Sequence, residues 1–447
     1  MRKILKPILF LIVFSFIYFA YTNYPRLQII TGFSSKSVAS GMFLANRTQE
    51  SVELGDNDFS PIKSANNEVN TQEKLVTSTI FGLKSAKAIY REGLGAVLLN
   101  GGYNNEKFII PNRNSTPKNL PFPYGDLSQI ENEFINVNYK VLAAAVANAF
   151  DKPGEKKKRT RTVLVVYKDQ IIAEKYADGF NKNTPMLGWS MTKSITSTIY
   201  GILQKQGHID VNTVTGIEEW QNDDRKNITY NDLLHMNSGL AWEENYNTIS
   251  DVTEMLFMKS DMSTVQMHKK LIGKKNESWN YSSGTSNLLA GYLLKEQFKT
   301  QQEYLDFWYR ELLDKIGMHS ALIETDLAGN FVGSSYGWAT TRDWAKFGLL
   351  YLHQGNWNGE QILTPEWVKY VATPTNGSEG KYGAHFWLNA GGRYPDVPRD
   401  LFSANGFQGQ FVFIIPSKNL VIVRTGLTED PEFDVNGFLR DILASIE

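Results

Sequence analysis

The sequence predicts a mixed α/β (α+β) fold: an antiparallel β-sheet flanked by helices, with an inserted helical domain. Three observations predict it. Runs rich in β-formers stand at 162–167 and 170–176, and two more stand at 410–415 and 419–424 near the other end of the chain. Between them, from about 190 to 315, helical spacing and loops dominate. A sheet assembled from both ends of a domain makes the helical middle an insertion.

Taken in order, the chain begins with Arg2, Lys3 and Lys6 ahead of an uninterrupted apolar run over 7–21. A positive flank before an apolar run is a membrane address, so residues 1–23 are expected to be a transmembrane signal anchor, with a cleaved signal peptide as the alternative. The run is shorter than the ~20 residues of a comfortable span. No small-x-small cleavage site follows it; the exit reads Phe19-Ala20-Tyr21-Thr22-Asn23. The remainder is then expected to be exported, periplasmic or extracytoplasmic, and tethered to the inner membrane by this segment.

Residues 24–120 read as a β-rich accessory segment of short strands and loops, punctuated by glycines such as Gly55, Gly82, Gly93 and Gly101. Pro117, Pro121 and Pro123 make 112–124 a linker or wrapping segment, because proline cannot continue a helix or a central strand. The main domain is placed at 121–447, with the helical insertion at about 216–330. Within it, Ile135, Val141, Leu142, Ala145, Val146 and Ala149 have helical spacing over 128–150. The charged run 155–161 reads as a solvated loop. Lys168-Asp169 joins the first two strands as a hairpin, and a helix over 433–446 closes the chain.

Composition removes several function classes. A net charge of −1 on 447 residues offers no field for nucleic acid, so no nucleic-acid partner is expected. The chain has no cysteine, which excludes disulfides and thiolate metal sites. The 6 histidines are scattered without a His-x-x-x-His pair, and His235 reads as a structural residue. No metal and no cofactor is expected; the oligomeric state is left open.

Ser-x-x-Lys carries the chemistry. A serine hydroxyl is a poor nucleophile until a base takes its proton, and residues i and i+3 of a helix share a face. The pattern occurs at Ser60, Ser115, Ser190 and Ser378, and context separates the four. Ser60 precedes Pro61, Ser115 lies in the proline-rich linker, and Ser378 lies in a glycine-rich loop. Ser190 alone opens an amphipathic run, with Met191, Ile195, Ile199, Ile202 and Leu203 at helical spacing until Gly207. Ser190 is therefore the candidate nucleophile and Lys193, neutral through desolvation, its general base. A leaving group must also be protonated. Tyr281, in WNYSSG over 279–284 before a second helical run, is the candidate proton relay, with Ser283 beside it. ANGFQGQ over 404–410 precedes a strand, and its glycines let backbone N–H groups approach a ligand. A Gly-x-Ser-x-Gly match at 333–337 follows a loop rather than a strand, so it is set aside as a nucleophile elbow. Trp189, Trp242, Trp279 and Tyr246 are candidates for an apolar acyl pocket, although core packing explains tryptophans equally well.

Together these elements resemble the serine β-lactamase and penicillin-recognising superfamily. The closer resemblance is to its class C β-lactamase-related branch, with 6-aminohexanoate-dimer hydrolases and carboxylesterases. The supporting text is TPMLGWSMTKS over 184–194, ITYNDLLHMNSGL over 228–240, ATTRDWAKFGLL over 339–350 and GNWNGEQIL over 355–363. The resemblance runs from about 120 to the C-terminus. It implies a β-lactamase/transpeptidase-like fold and an acyl-enzyme on Ser190 in a serine hydrolase cleaving a small-molecule ester, amide or peptide. Its oxyanion hole would be formed by the N–H groups of Ser190 and of a residue just after Gly406, namely Phe407. Two alternatives stay open: a catalytically silent exported binding module on the same fold, and a DD-peptidase-like cell-wall enzyme. The tyrosine motif reads Tyr281-Ser282-Ser283 rather than Tyr-x-Asn, nearer the aminohexanoate-dimer type. Ala404-Asn405-Gly406 stands where true β-lactamases carry Lys-Thr-Gly, which removes the cation that grips a β-lactam carboxylate.

Overall fold

The computed structural model describes residues 2–101, 108–116, 118–125 and 127–446. The chain divides into two compact units. One comprises Met1–Arg91, Ala96–Asn104 and Glu243–Ser260; the other comprises Glu92–Gly95, Asn105–Trp242 and Asp261–Glu447.

In the first unit, a helix over Arg2–Phe43 packs on a four-stranded sheet whose strands, Asn66–Asn70, Leu75–Ile80, Lys84–Arg91 and Gly95–Leu98, lie in sequence order. Val76, Ser78 and Ile80 alternate with more exposed neighbours, and Ala86 and Ala88 do the same on the next strand. That period of two gives the sheet one buried face. Ile29, Ile30, Phe33, Val38 and Ala39 are buried apolar residues of the helix. Short strands and loops were expected from residue 24 onward; instead the helix continues to Phe43, because these apolar positions recur at helical rather than alternating spacing.

Among the described residues, no helix is long and apolar enough to cross a membrane. This overturns the expectation of a transmembrane signal anchor over 1–23 and leaves the expected membrane tether unsupported. At a rise of ~1.5 Å per residue the apolar run reaches roughly 22 Å, against a hydrocarbon core of about 30 Å. The helix also does not end there. It passes through Thr22, Asn23, Arg26 and Gln28 into the stretch that is buried in this unit.

The second unit is built on a six-stranded antiparallel sheet. Its spatial order is Trp387–Leu388, Phe402–Gly406, Gln410–Ile415, Leu420–Gly426, Thr160–Tyr167 and Gln170–Tyr176. The first and last parts of the domain thus meet at the pairing of Leu420–Gly426 with Thr160–Tyr167, as expected for a sheet made from both chain ends. Lys168 and Asp169 take the left-handed conformation that a two-residue hairpin turn requires. Both faces are covered, so the central strands carry long apolar runs. Leu164, Val166, Val412, Val421 and Val423 join one core with the helices Met191–Lys205 and Thr341–Leu352. Val163, Val165, Phe413 and Ile422 join a second core with Tyr139–Asn148 and Val435–Leu443. The mixed fold of antiparallel strands and flanking helices read from the sequence holds.

Candidate active site

Ser190 is the N-cap of Met191–Lys205, and its side chain makes no capping bond, so the hydroxyl is not spent on the helix. A second small sheet aims it. Met186–Leu187 pairs with Gly337–Ala339, Gly188 N donates to Gly337 O at 2.8 Å, and Trp189 bridges to Tyr336. Trp189 itself is left-handed, at φ 47°, an uncommon conformation for a bulky residue that persists only where the surroundings over-determine it. Gly188 has to be glycine: a Cβ there would lie 2.4 Å from the Trp344 ring.

Lys193 stands one helical turn below Ser190 and is 1% exposed. Its Nζ lies 2.9 Å from Ser190 Oγ, 2.9 Å from Ser283 Oγ and 3.0 Å from Ser334 O. It also sits 4.8 Å from the centre of the Tyr281 ring. Ser190 and Tyr281 remain partly exposed, whereas Lys193 and Ser283 are buried. The arrangement therefore presents a hydroxyl and a phenol to solvent over a buried amine.

Tyr281 is delivered by residues 279–282, which lead into the helix Ser283–Leu288. Ser282 caps that helix, its Oγ accepting from Thr285 N at 2.9 Å, and this leaves Ser283 on the first turn facing Lys193. The Tyr281 ring packs beside Tyr382 at 5.7 Å and Trp387 at 5.4 Å. The end of strand Phe402–Gly406 abuts the turn that leads into Ser190. A Cβ on Gly406 would lie 2.0 Å from Gly188 O, and the Phe407 ring meets Trp189 edge-on at 5.5 Å. All six residues singled out from the sequence, Ser190, Lys193, Tyr281, Ser283, Gly406 and Phe407, thus fall around one locus.

Ser334 had no assigned part. Its carbonyl takes the third bond of Lys193, and a backbone acceptor leaves no side-chain signature in a sequence. The Gly-x-Ser-x-Gly segment supplies this carbonyl rather than a nucleophile; Ser335 is buried, its Oγ 2.8 Å from Ser334 Oγ. His385 was equally unmarked. Its Nδ1 lies 2.6 Å from Leu234 O, so Nδ1 carries the proton and Nε2 accepts from Ser286 Oγ at 2.8 Å. Burial pushes His385 down to about 3, against the opposing bond to Leu234 O. Burial likewise pushes His235 down to about 4, with its Nδ1 2.6 Å from Thr375 Oγ1. Of the pocket candidates, Trp189, Trp242 and Trp279 belong to this unit, whereas Tyr246 falls in the other, its hydroxyl on Glu244. Among the described residues, no three His, Asp or Glu side chains are grouped to hold a metal ion.

An antiparallel sheet between two helical layers, with Ser-x-x-Lys opening the helix against it, defines a serine hydrolase of the β-lactamase/transpeptidase-like fold. The sequence matches the Beta-lactamase family over residues 142–443, more than half of the chain, and the protein belongs to that family. Solved structures agree on the fold. A candidate 6-aminohexanoate-dimer hydrolase from Bacillus anthracis is 22% identical with a TM-score of 0.56, over 64% of this chain and 79% of that one. A family VIII carboxylesterase is 15% identical with a TM-score of 0.55, over 71% and 100%. A penicillin-binding protein homologue from Caulobacter crescentus is 13% identical with a TM-score of 0.54, over 69% and 97%.

Proposed function

We propose that the protein cleaves esters or linear amides through an acyl-enzyme on Ser190. The observation that carries this reading is the buried Lys193 Nζ at 2.9 Å from Ser190 Oγ. A neutral amine has two N–H groups and one lone pair. With the N–H groups given to Ser283 Oγ and Ser334 O, the lone pair is directed at the Ser190 hydroxyl. Ser190 then attacks the carbonyl carbon while its proton passes to Lys193. Tyr281 protonates the departing alcohol or amine, and the N–H groups of Ser190 and Phe407 bind the oxyanion. Water adds to the acyl-enzyme by the same route in reverse and releases the acid.

Linear amides and carboxylic esters are the substrate classes of choice, being those in the names of two of the structural neighbours. With Ala404 in place of a lysine, β-lactam turnover should be slow. The test is one purified full-length protein offered p-nitrophenyl esters, linear ω-amino-acid dimers, D-Ala-D-Ala peptides and nitrocefin, with intact-mass detection of a fluorophosphonate adduct. An adduct lost in Ser190→Ala supports the reading. No adduct and no turnover by the wild type would refute it and leave a silent binding module.

A further inference from the structure

Residues 406–409 close the hairpin between Phe402–Gly406 and Gln410–Ile415. Gln408, at φ 62°, and Gly409, at φ 79°, are both left-handed there. A non-glycine residue keeps that conformation only when its surroundings hold it. Three side chains do the holding, the first being Glu429, whose Oε1 accepts from Gln408 N at 2.7 Å. The Gln410 amide donates to Phe407 O at 3.0 Å and Gly426 O at 2.6 Å, while its carbonyl accepts from Gly426 N at 3.1 Å. Arg424 reaches the other side of the turn: its Nη1 donates to Gly409 O at 2.6 Å and Thr428 O at 3.0 Å. Its Nη2 donates to Lys158 O at 2.8 Å and Thr160 Oγ1 at 3.0 Å, and its Nε donates to Thr160 Oγ1 at 3.2 Å.

Every N–H of the guanidinium is therefore used, and every one of these acceptors is neutral. Arg424 is 0% exposed, its face 4.1 Å from the Phe433 ring centre, and among the described residues no carboxylate pairs with it. Burial pushes it down to about 9, which still leaves it charged at neutral pH. Asp151 attracts it without touching it, yet a fully desolvated guanidinium bonded only to neutral groups is an expensive way to tie down a hairpin. The opposite side of this same turn touches the nucleophile segment through Gly406 on Gly188 and Phe407 on Trp189.

We propose that Arg424 and Gln410 are positioning residues of the oxyanion site, fixing the peptide that carries the Phe407 N–H with respect to Ser190. The inference rests on the acyl-enzyme reading above. Neither side chain is placed to touch substrate. Gln410 sets the Phe407 carbonyl, Arg424 sets the Gly409 carbonyl, and the N–H between Gly406 and Phe407 is left with little freedom. A fixed positive charge behind the turn also favours the negative charge that develops in front of it.

The experiment uses the full chain with Arg424→Gln, Arg424→Lys and Gln410→Leu, measuring kcat and KM on p-nitrophenyl butyrate together with melting temperature and the Ser190 fluorophosphonate adduct. Misplacing one oxyanion donor should lower kcat by about 10- to 100-fold with KM changed by less than about threefold. Arg424→Lys, which retains the charge and three N–H groups, should recover part of what Arg424→Gln loses. Where the Arg424 variants do not fold, Gln410→Leu decides. A folded variant with kcat within about twofold of wild type, or with its whole loss in KM, overturns the inference. If the wild type itself forms no adduct, the acyl-enzyme reading fails and takes this inference with it; an adduct with unaffected variants sinks the inference alone.

Discussion

Two stretches of this molecule spell the same four-residue motif and make opposite use of it. At Ser190 the spacing lies at a helix mouth, the lysine is buried, and its amine rests on the serine oxygen. At Ser378 the intervening Glu379 and Gly380 are both left-handed, so the backbone is a loop and the i, i+3 relation places nothing face to face. Ser378 is buried but donates to Thr375 O at 2.7 Å and Tyr382 O at 3.2 Å, which makes it a turn-binding hydroxyl. Lys381 points to solvent and pairs with Glu379. The difference lies in what surrounds the amine: desolvation and two competing acceptors in one place, water in the other.

The largest expected effect tests this contrast directly. Lys193→Ala should lower kcat by about 10³-fold or more, as removal of a base from a catalytic unit does, while Lys381→Ala stays within about twofold. Equal losses in steady-state ester hydrolysis would erase the distinction. Tyr281→Phe keeps the ring against Trp387 and removes only the phenol, so a loss of about 10²-fold is expected, the lower end for a positioned proton donor. That loss should shrink with activated p-nitrophenyl esters, whose leaving group needs no proton; a loss independent of leaving group would count against the relay. Ser283→Ala removes one acceptor from Lys193 while leaving Ser334 O in place. One hydrogen bond of about 1 kcal/mol corresponds to about a fivefold fall in kcat, and an unchanged pH–rate profile would count against a role for Ser283 in setting the amine's state.

The smallest effect is on stability. His385 and His235 titrate at about 3 and about 4 in the fold, well below the ~6.5 of an unfolded chain. Below pH 6.5 the unfolded state therefore binds protons that the native state does not. Their contribution is fully present above pH 6.5 and is lost as pH falls toward 4 and then 3. Urea midpoints should drop between pH 7 and pH 5, and the drop should be smaller in His385→Gln. An identical pH dependence in both proteins would contradict this assignment.

Much of the site was legible because its residues sit on periodic elements. The spacing of Met191, Ile195, Ile199 and Leu203 sets the helix on which Ser190 and Lys193 align, and the capping pattern around Ser282 places Ser283 and Tyr281 at the mouth of the next. The Ser334 carbonyl and His385 were not legible, because a backbone acceptor and a lone buried histidine have no local pattern. The fold class followed from the strands at 162–176 and 410–424, yet local readings failed where an apolar residue is exposed. Ile135 extended the expected helix back toward 128, but it is fully exposed and the helix starts at Tyr139, where the Asn138 side chain accepts from Val141 N. The N-terminal run misled for a related reason. Hydropathy over 7–21 cannot reveal that the same helix continues for two dozen residues into a packed interior.

Trp189 joins two properties that are usually separable in an enzyme. Its left-handed backbone bends the chain directly before Ser190, and its indole packs against both Phe407 and Tyr336. Exchanging it for glycine would relax the bend while deleting both ring contacts; any other residue would keep the bend's difficulty and alter those contacts. A substitution at Trp189 would therefore disturb the backbone that carries Ser190 and the rings packed around it at the same time.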